Sequence, residues 1–169
     1  MIQFHVRQSG KSSNLLAGAL SFVLFAAISS IGLLPSAYAA DMSVSDTAPD
    51  LSSARAKIKA KDWKGAIGEL TKMIVTNQHP DVYNLLGFSL RKSGDYKNAL
   101  FYYQKALDLD PTHKGAQEYL GELYVETGQM EKAKAMLASL VKLCPEGCEE
   151  REDLETAIAA GPGHPAKPL

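Results

Sequence analysis

The chain repeats its own pattern at a spacing of 34 residues, and this constrains its fold more than any other feature. Under that shift Leu86-Gly87 falls on Leu120-Gly121, Gly94 on Gly128, Ala99 on Ala133, Leu107 on Val141, Leu109 on Leu143 and Pro111 on Pro145. A weaker copy lies 33 residues before the second: Asp62-Trp63 matches Asp95-Tyr96, Ala66 matches Ala99 and Lys72 matches Lys105, with the missing residue near "NQHP". Such a period marks a unit that cannot bury its apolar face alone and must stack on its neighbours. Within each unit the apolar residues recur every three or four positions, which predicts helices and no convincing strand. "MIVT" at 73–76 is β-prone in isolation, but it continues the helical spacing from Ile67 and Leu70.

The stretch "DYKNALFYYQKALDLDP", residues 95–111, shows what the unit needs. Ala99, Tyr103 and Ala106 stand in helical register, and Pro111 prevents continuation. Gly94 and Gly128 suit a left-handed helix end. These residues and their spacing resemble the tetratricopeptide repeat, in which each unit is a pair of antiparallel helices. The resemblance covers roughly residues 47–145. It is strong in the second copy and good in the third, which has Leu137 and Leu140 in place of the aromatic and one small residue. It is weak in the first, where "DLSSARAKIKA" at 50–60 has Ala54 for the glycine. The resemblance implies that Gly87 and Gly121 lie where the second helix of each pair crosses the first, that Ala99 and Ala106 are small for the same close approach, and that Tyr103 fills the gap between those small residues. After Pro145, "CEEREDLETAIAA" reads as a capping helix: Leu154, Ala157 and Ile158 form its stripe, and its acidic remainder is a solvated face. The expected fold is all-α: a short right-handed α-solenoid of about three helix-turn-helix repeats plus the C-terminal cap, seven helices in all.

The flanks read differently. Arg7 and Lys11 precede an uncharged run, residues 15–34, then Pro35 and "SAYAAD", where Ala37 and Ala39 have signal-peptidase spacing. Residues 1–39 are therefore expected to be a secretory signal cut after Ala39. The alternative is an uncleaved anchor through residues 15–34. Both place the rest outside the cytoplasm, and a periplasm is the expected compartment. Residues 40–49 read as a flexible linker and 50–160 as the repeat domain. The tail 161–169, rich in glycine and proline, reads as disordered. The net charge of −1 argues against a nucleic-acid partner, and no membrane contact is expected beyond the N-terminal segment.

No catalytic constellation stands out, so the chain reads as a non-enzyme with no cofactor. His79 and His113 sit in equivalent turns and read as exposed. Helix packing sets such turns about 8–10 Å apart, too far for one zinc ion with ligands at about 2 Å, so no metal is expected. Cys144 and Cys148 flank "PEG", whose Pro145 and Gly147 favour a turn that brings the sulfurs together. In an oxidising compartment a structural disulfide is the leading reading. Free thiols and a redox pair are the others, although the spacing is one residue longer than C-x-x-C.

The resemblance implies a concave groove, lined by first-helix side chains, that holds a peptide segment of another exported protein. By register the groove residues are Asn84, Phe88, Arg91 and Lys92 from the second copy and Glu118, Glu122 and Val125 from the third, with Arg55 and Lys59 from the first. That groove would run from basic to acidic, and Phe88 is either an apolar anchor in it or packed on a neighbouring repeat. Glutamates in the third copy disfavour a clamp for a terminal carboxylate. The function expected is that of an adaptor or assembly factor. The alternative is a thiol-disulfide or metal-handling protein acting through Cys144 and Cys148. Partner identity and oligomeric state stay open.

Overall fold

The structure is a computed structural model that describes residues 48–163, all within the unit Asp41–Leu169. The expected signal at 1–39, the linker up to residue 47 and the tail from 164 lie outside the described residues.

Seven helices and no strand occur among the described residues: α1 (Ser52–Lys59), α2 (Trp63–Thr76), α3 (Pro80–Lys92), α4 (Tyr96–Leu109), α5 (Lys114–Glu126), α6 (Met130–Leu143) and α7 (Glu149–Ala160). They pack as the hairpins α1–α2, α3–α4 and α5–α6, each second helix also touching the following hairpin where one follows, and α7 closes on α5 and α6.

Local chemistry sets the boundaries. The three turns inside the hairpins share one device. Backbone N–H groups of Asp62, Asp95 and Gln129 donate to the carbonyls of Lys57, Leu90 and Tyr124, at 2.9, 2.9 and 2.7 Å. This five-residue return is a Schellman closure, and it needs a left-handed residue just before the donor. Gly94 and Gly128 supply it, with φ of +90° and +73°. In the first hairpin Lys61 takes the same conformation at φ +58°, without glycine's freedom. Asp62 and Asp95 then cap α2 and α4 by accepting from the Gly65 and Asn98 amides.

His79 and His113 are not the exposed turn residues expected from sequence. Both are half-buried N-caps, of α3 and α5, whose rings accept from the Asp81 and Ala116 amides. His113 Nε2 also meets Asp81 Oδ1 at 2.9 Å, tying one inter-hairpin turn to the next.

The small residues lie at the crossings. Ala54, Ala66, Ala99, Ala106 and Ala133 are fully buried. A methyl on Gly87 would stand 2.8 Å from two ring carbons of Tyr103, which is itself fully buried. Gly121 differs from expectation. The atoms nearest its missing methyl belong to Leu154 of α7, at 2.5 Å, not to α6. With the shorter Leu137 where Tyr103 stands one repeat earlier, the cap helix fills the space over Gly121. Leu154 is fully buried there, so the cap is built into the core. Cys144 ends α6, Cys148 precedes α7, and a disulfide joins them.

Candidate partner-binding groove

The first helices α1, α3, α5 and α7 share one face, which holds a cavity of about 380 Å³. Its wall is Arg55 of α1, Asp81 and Asn84 of α3, His113, Gly115, Glu118 and Tyr119 at and within the start of α5, and Glu149, Glu150 and Asp153 of α7. Of the residues expected in the groove, three meet here: Arg55, Asn84 and Glu118. Lys59 is exposed on α1 and lines no part of the cavity.

The remaining expected groove residues have other roles. Phe88 is 1% exposed and is no groove anchor. Its ring packs between Trp63 at 6.2 Å and Tyr119 at 4.9 Å, on the neighbouring hairpins. Val125 is buried in the core. Arg91 is 2% exposed and bonded to Glu122 and, at 2.8 Å, to Glu126. Its guanidinium carbon also lies 5.5 Å from the Phe88 ring centre and 5.7 Å from that of Tyr119. Burial works against its charge, but Tyr103, Glu122 and Glu126 outweigh it and hold the guanidinium above its ordinary pKa. Glu122 is 2% exposed, and burial lifts its carboxyl, an effect Arg91 only partly offsets. The expected gradient from basic to acidic is therefore interrupted: Arg91 and Glu122 neutralise each other. Lys92 is half-buried with its ammonium 5.4 Å from the Phe88 ring centre, and burial, then Arg91, lowers its pKa. It lines a separate, more open depression with Lys61, Trp63 and Lys64.

Carboxyl groups are prominent in the cavity wall, and Glu118 is one of them. It is 7% exposed, and no hydrogen bond or ion pair holds its carboxyl among the described residues. Burial first, then Glu122, Asp153 and Glu150, push its pKa up to about 8. Asn84 is 5% exposed, and its Oδ1 is buried with no partner. Asp81 behaves oppositely: its bond to His113 leads the causes that hold its carboxyl below the usual range.

Sequence reasoning missed the α7 carboxylates here, because it assigned that helix's acidic side to solvent. The missed signal is positional. Leu154 follows Leu120 by 34 residues, as Leu120 follows Leu86, so α7 stands as the first helix of a further repeat. A first helix presents its polar side to the shared face.

Helical hairpins stacked at a fixed period, with a polar cavity along the first helices, define an all-α helical-repeat fold. Residues 90–146 match the tetratricopeptide repeat model. The Arabidopsis OM64 tetratricopeptide-repeat domain is similar in structure, with a TM-score of 0.57 at 18% identity over 63% of this chain and 88% of that one. The first such domain of Spaghetti (RPAP3), solved bound to the HSP90 peptide SRMEEVD, gives 0.57 at 17% identity over 64% and 86%. The crystal structure of MamA gives 0.53 at 20% identity over 64% and 67%. In sequence, the ycf37 protein of Guillardia theta is 34% identical over 62 residues, 37% of this chain. The chain spans only about a third of that relative's length, 35%. The similarity to tetratricopeptide repeats thus rests in sequence on residues 90–146 and in structure on the fold. Domains of this kind are protein–protein interaction modules and generally scaffolds rather than enzymes.

Proposed function

We propose that this protein holds a segment of another protein against the face formed by α1, α3, α5 and α7, as an exported adaptor or assembly factor. The observation that carries the reading is a cavity on that face lined by the buried Glu118 and by Asn84, whose Oδ1 is buried without a partner. Unmet hydrogen-bonding groups in a concave wall are what a binding site retains and a packed core does not. The peptide held by the Spaghetti domain is acidic, and the wall here is itself lined with carboxyl groups, so that peptide's chemistry is not carried over. Export rests on the sequence of residues 1–39, which favours a client met outside the cytoplasm.

The test is site-specific photocrosslinking in the native organism. A photoreactive residue at Gly115, in the cavity wall, is expected to capture one defined protein. The same residue at Phe101, half-exposed on α4, is expected not to capture it. Equal capture from both positions, or capture from Phe101 alone, would remove the groove from the function.

A further inference from the structure

The turn of the first hairpin differs from the other two at one residue. Its left-handed position holds Lys61, at φ +58°, where the second and third hairpins have Gly94 and Gly128. A lysine there costs backbone energy that glycine would avoid. Lys61 lines the depression between this turn and the end of α3, a hollow of about 600 Å³. Three lysines line it, Lys61, Lys64 and Lys92, against one carboxyl, that of Asp62, which accepts the Gly65 amide as the cap of α2. No hydrogen bond or ion pair holds any of the three ammonium groups among the described residues. Glu122 and Glu126, the carboxyls that act on Lys92, are already bonded to Arg91. Lys92 is half-buried, and an ammonium withdrawn from water without a carboxylate gains more from an entering anion than an exposed one does. Trp63 and Ile67, both half-buried, give the hollow its apolar surface.

We propose that this depression docks an acidic segment of a protein partner, with an apolar side chain set against Trp63 and Ile67 and flanking carboxylates paired with Lys61, Lys64 and Lys92. An apolar surface ringed by unpaired cations is complementary to that pattern and to no neutral or basic segment. A hollow admits a side chain, whereas the surface of a bilayer cannot follow the protein into it. The depression shares no residue with the cavity along α1, α3, α5 and α7, so this contact stands or falls independently of the groove reading. Lys61 is then held in glycine's conformation for its charge.

The experiment titrates the full chain with acetyl-Ser-Glu-Leu-Glu-Ser-amide, and with the same peptide carrying glutamine for both glutamates or serine for the leucine. The signal is the emission of Trp63, the chain's only tryptophan. The glutamate peptide is expected to bind about tenfold more tightly than the glutamine peptide, as a few weak ion pairs together allow, and added salt is expected to shrink that ratio. Leucine over Trp63 is expected to shift its emission to the blue, and the serine peptide is not. Lys61→Gly is expected to raise the urea midpoint and yet weaken the glutamate peptide about threefold, an opposition that a purely structural lysine would not show. Adding Lys64→Gln is expected to remove most of the remaining preference. Equal affinity for the glutamate and glutamine peptides, no saturable binding at millimolar peptide, binding that leaves Trp63 emission unchanged, or undiminished affinity in Lys61→Gly would overturn the proposal. So would tighter binding to phosphatidylglycerol vesicles than to the peptide, which would assign the depression to a lipid surface, or a dimer in sedimentation that the peptide dissociates, which would assign it to a second copy of the chain.

Discussion

Replacing glycine by alanine at two helical positions is expected to have opposite effects here, and the sign is set by packing alone. In a helix interior the change favours the fold by about 1 kcal/mol. At Gly68, in α2, an added methyl would find nothing within 4 Å, so Gly68→Ala should deliver most of that gain. At Gly87, in α3, the methyl would meet Tyr103 ring carbons at 2.8 Å, and the fully buried ring has no open side to retreat into. Overpacking costs about 1–3 kcal/mol, and two contacts at 2.8 Å on a ring that cannot retreat put this case in the upper part of that range, about 2–3 kcal/mol. Gly87→Ala should therefore end about 1–2 kcal/mol below the parent, a fall in Tm on the order of 4–8 °C for a domain of this size. Urea unfolding followed by circular dichroism reads both variants. The strain should also depend on the ring. Gly87→Ala combined with Tyr103→Leu should be less damaging than the sum of the two by about 1 kcal/mol. If Gly87→Ala matches or exceeds the parent in stability, close approach at Gly87 is not what organises the hairpin, and the packing argument is refuted.

Further perturbations probe separate parts of the array. Lys61→Gly should stabilise by roughly 0.5–1 kcal/mol by relieving a left-handed lysine, and an unchanged or lowered urea midpoint would contradict the strain at that turn. Arg91→Met should destabilise by about 3–5 kcal/mol, since it strands buried Glu122 without its cation; adding Glu122→Gln should recover most of the loss, and a failure to recover would show that the pair is not the cause. Replacing both Cys144 and Cys148 by serine should cost about 2 kcal/mol for so short a loop and speed hydrogen exchange in α7 while sparing α3 and α4; uniform acceleration across the domain would argue against a local brace. Glu118 binds its proton more tightly folded, at about 8, than at its ordinary value of 4.5. Its contribution is therefore full below 4.5 and lost as pH rises toward 8, worth a few kcal/mol at most at about 1.4 kcal/mol per unit. Glu118→Gln should flatten the stability profile across that interval, and a parallel profile would contradict the burial assigned to Glu118.

The helices and turns were legible because each is decided by its near neighbours. Gly94, Gly128, Pro111 and Pro145 act within a few residues of themselves, so their spacing alone marks the hairpins. Lys61 was not legible. The hairpin forced it into glycine's conformation although nothing in the lysine favours it. Arg55, Asn84 and Glu118 were found by register, because a residue one repeat on returns to the same face. Register says which way a side chain starts and nothing about what it meets. It therefore placed Arg91 in an open groove and left Phe88 undecided, whereas Trp63, Tyr119, Glu122 and Glu126 enclose them.

The period, the helix pairing and the positions of the small residues follow from the sequence by itself, because steric fit at a crossing depends on residue size at a fixed interval. The tertiary structure alone decided the fate of the charges. Arg91 lies 31 residues from Glu122, and the carboxylates of α7 reach Glu118 only once the last helix has folded onto α5. Whether a charge is cancelled, solvated or left waiting depends on distance and loss of water between residues far apart along the chain. Those quantities do not exist until the helices have stacked.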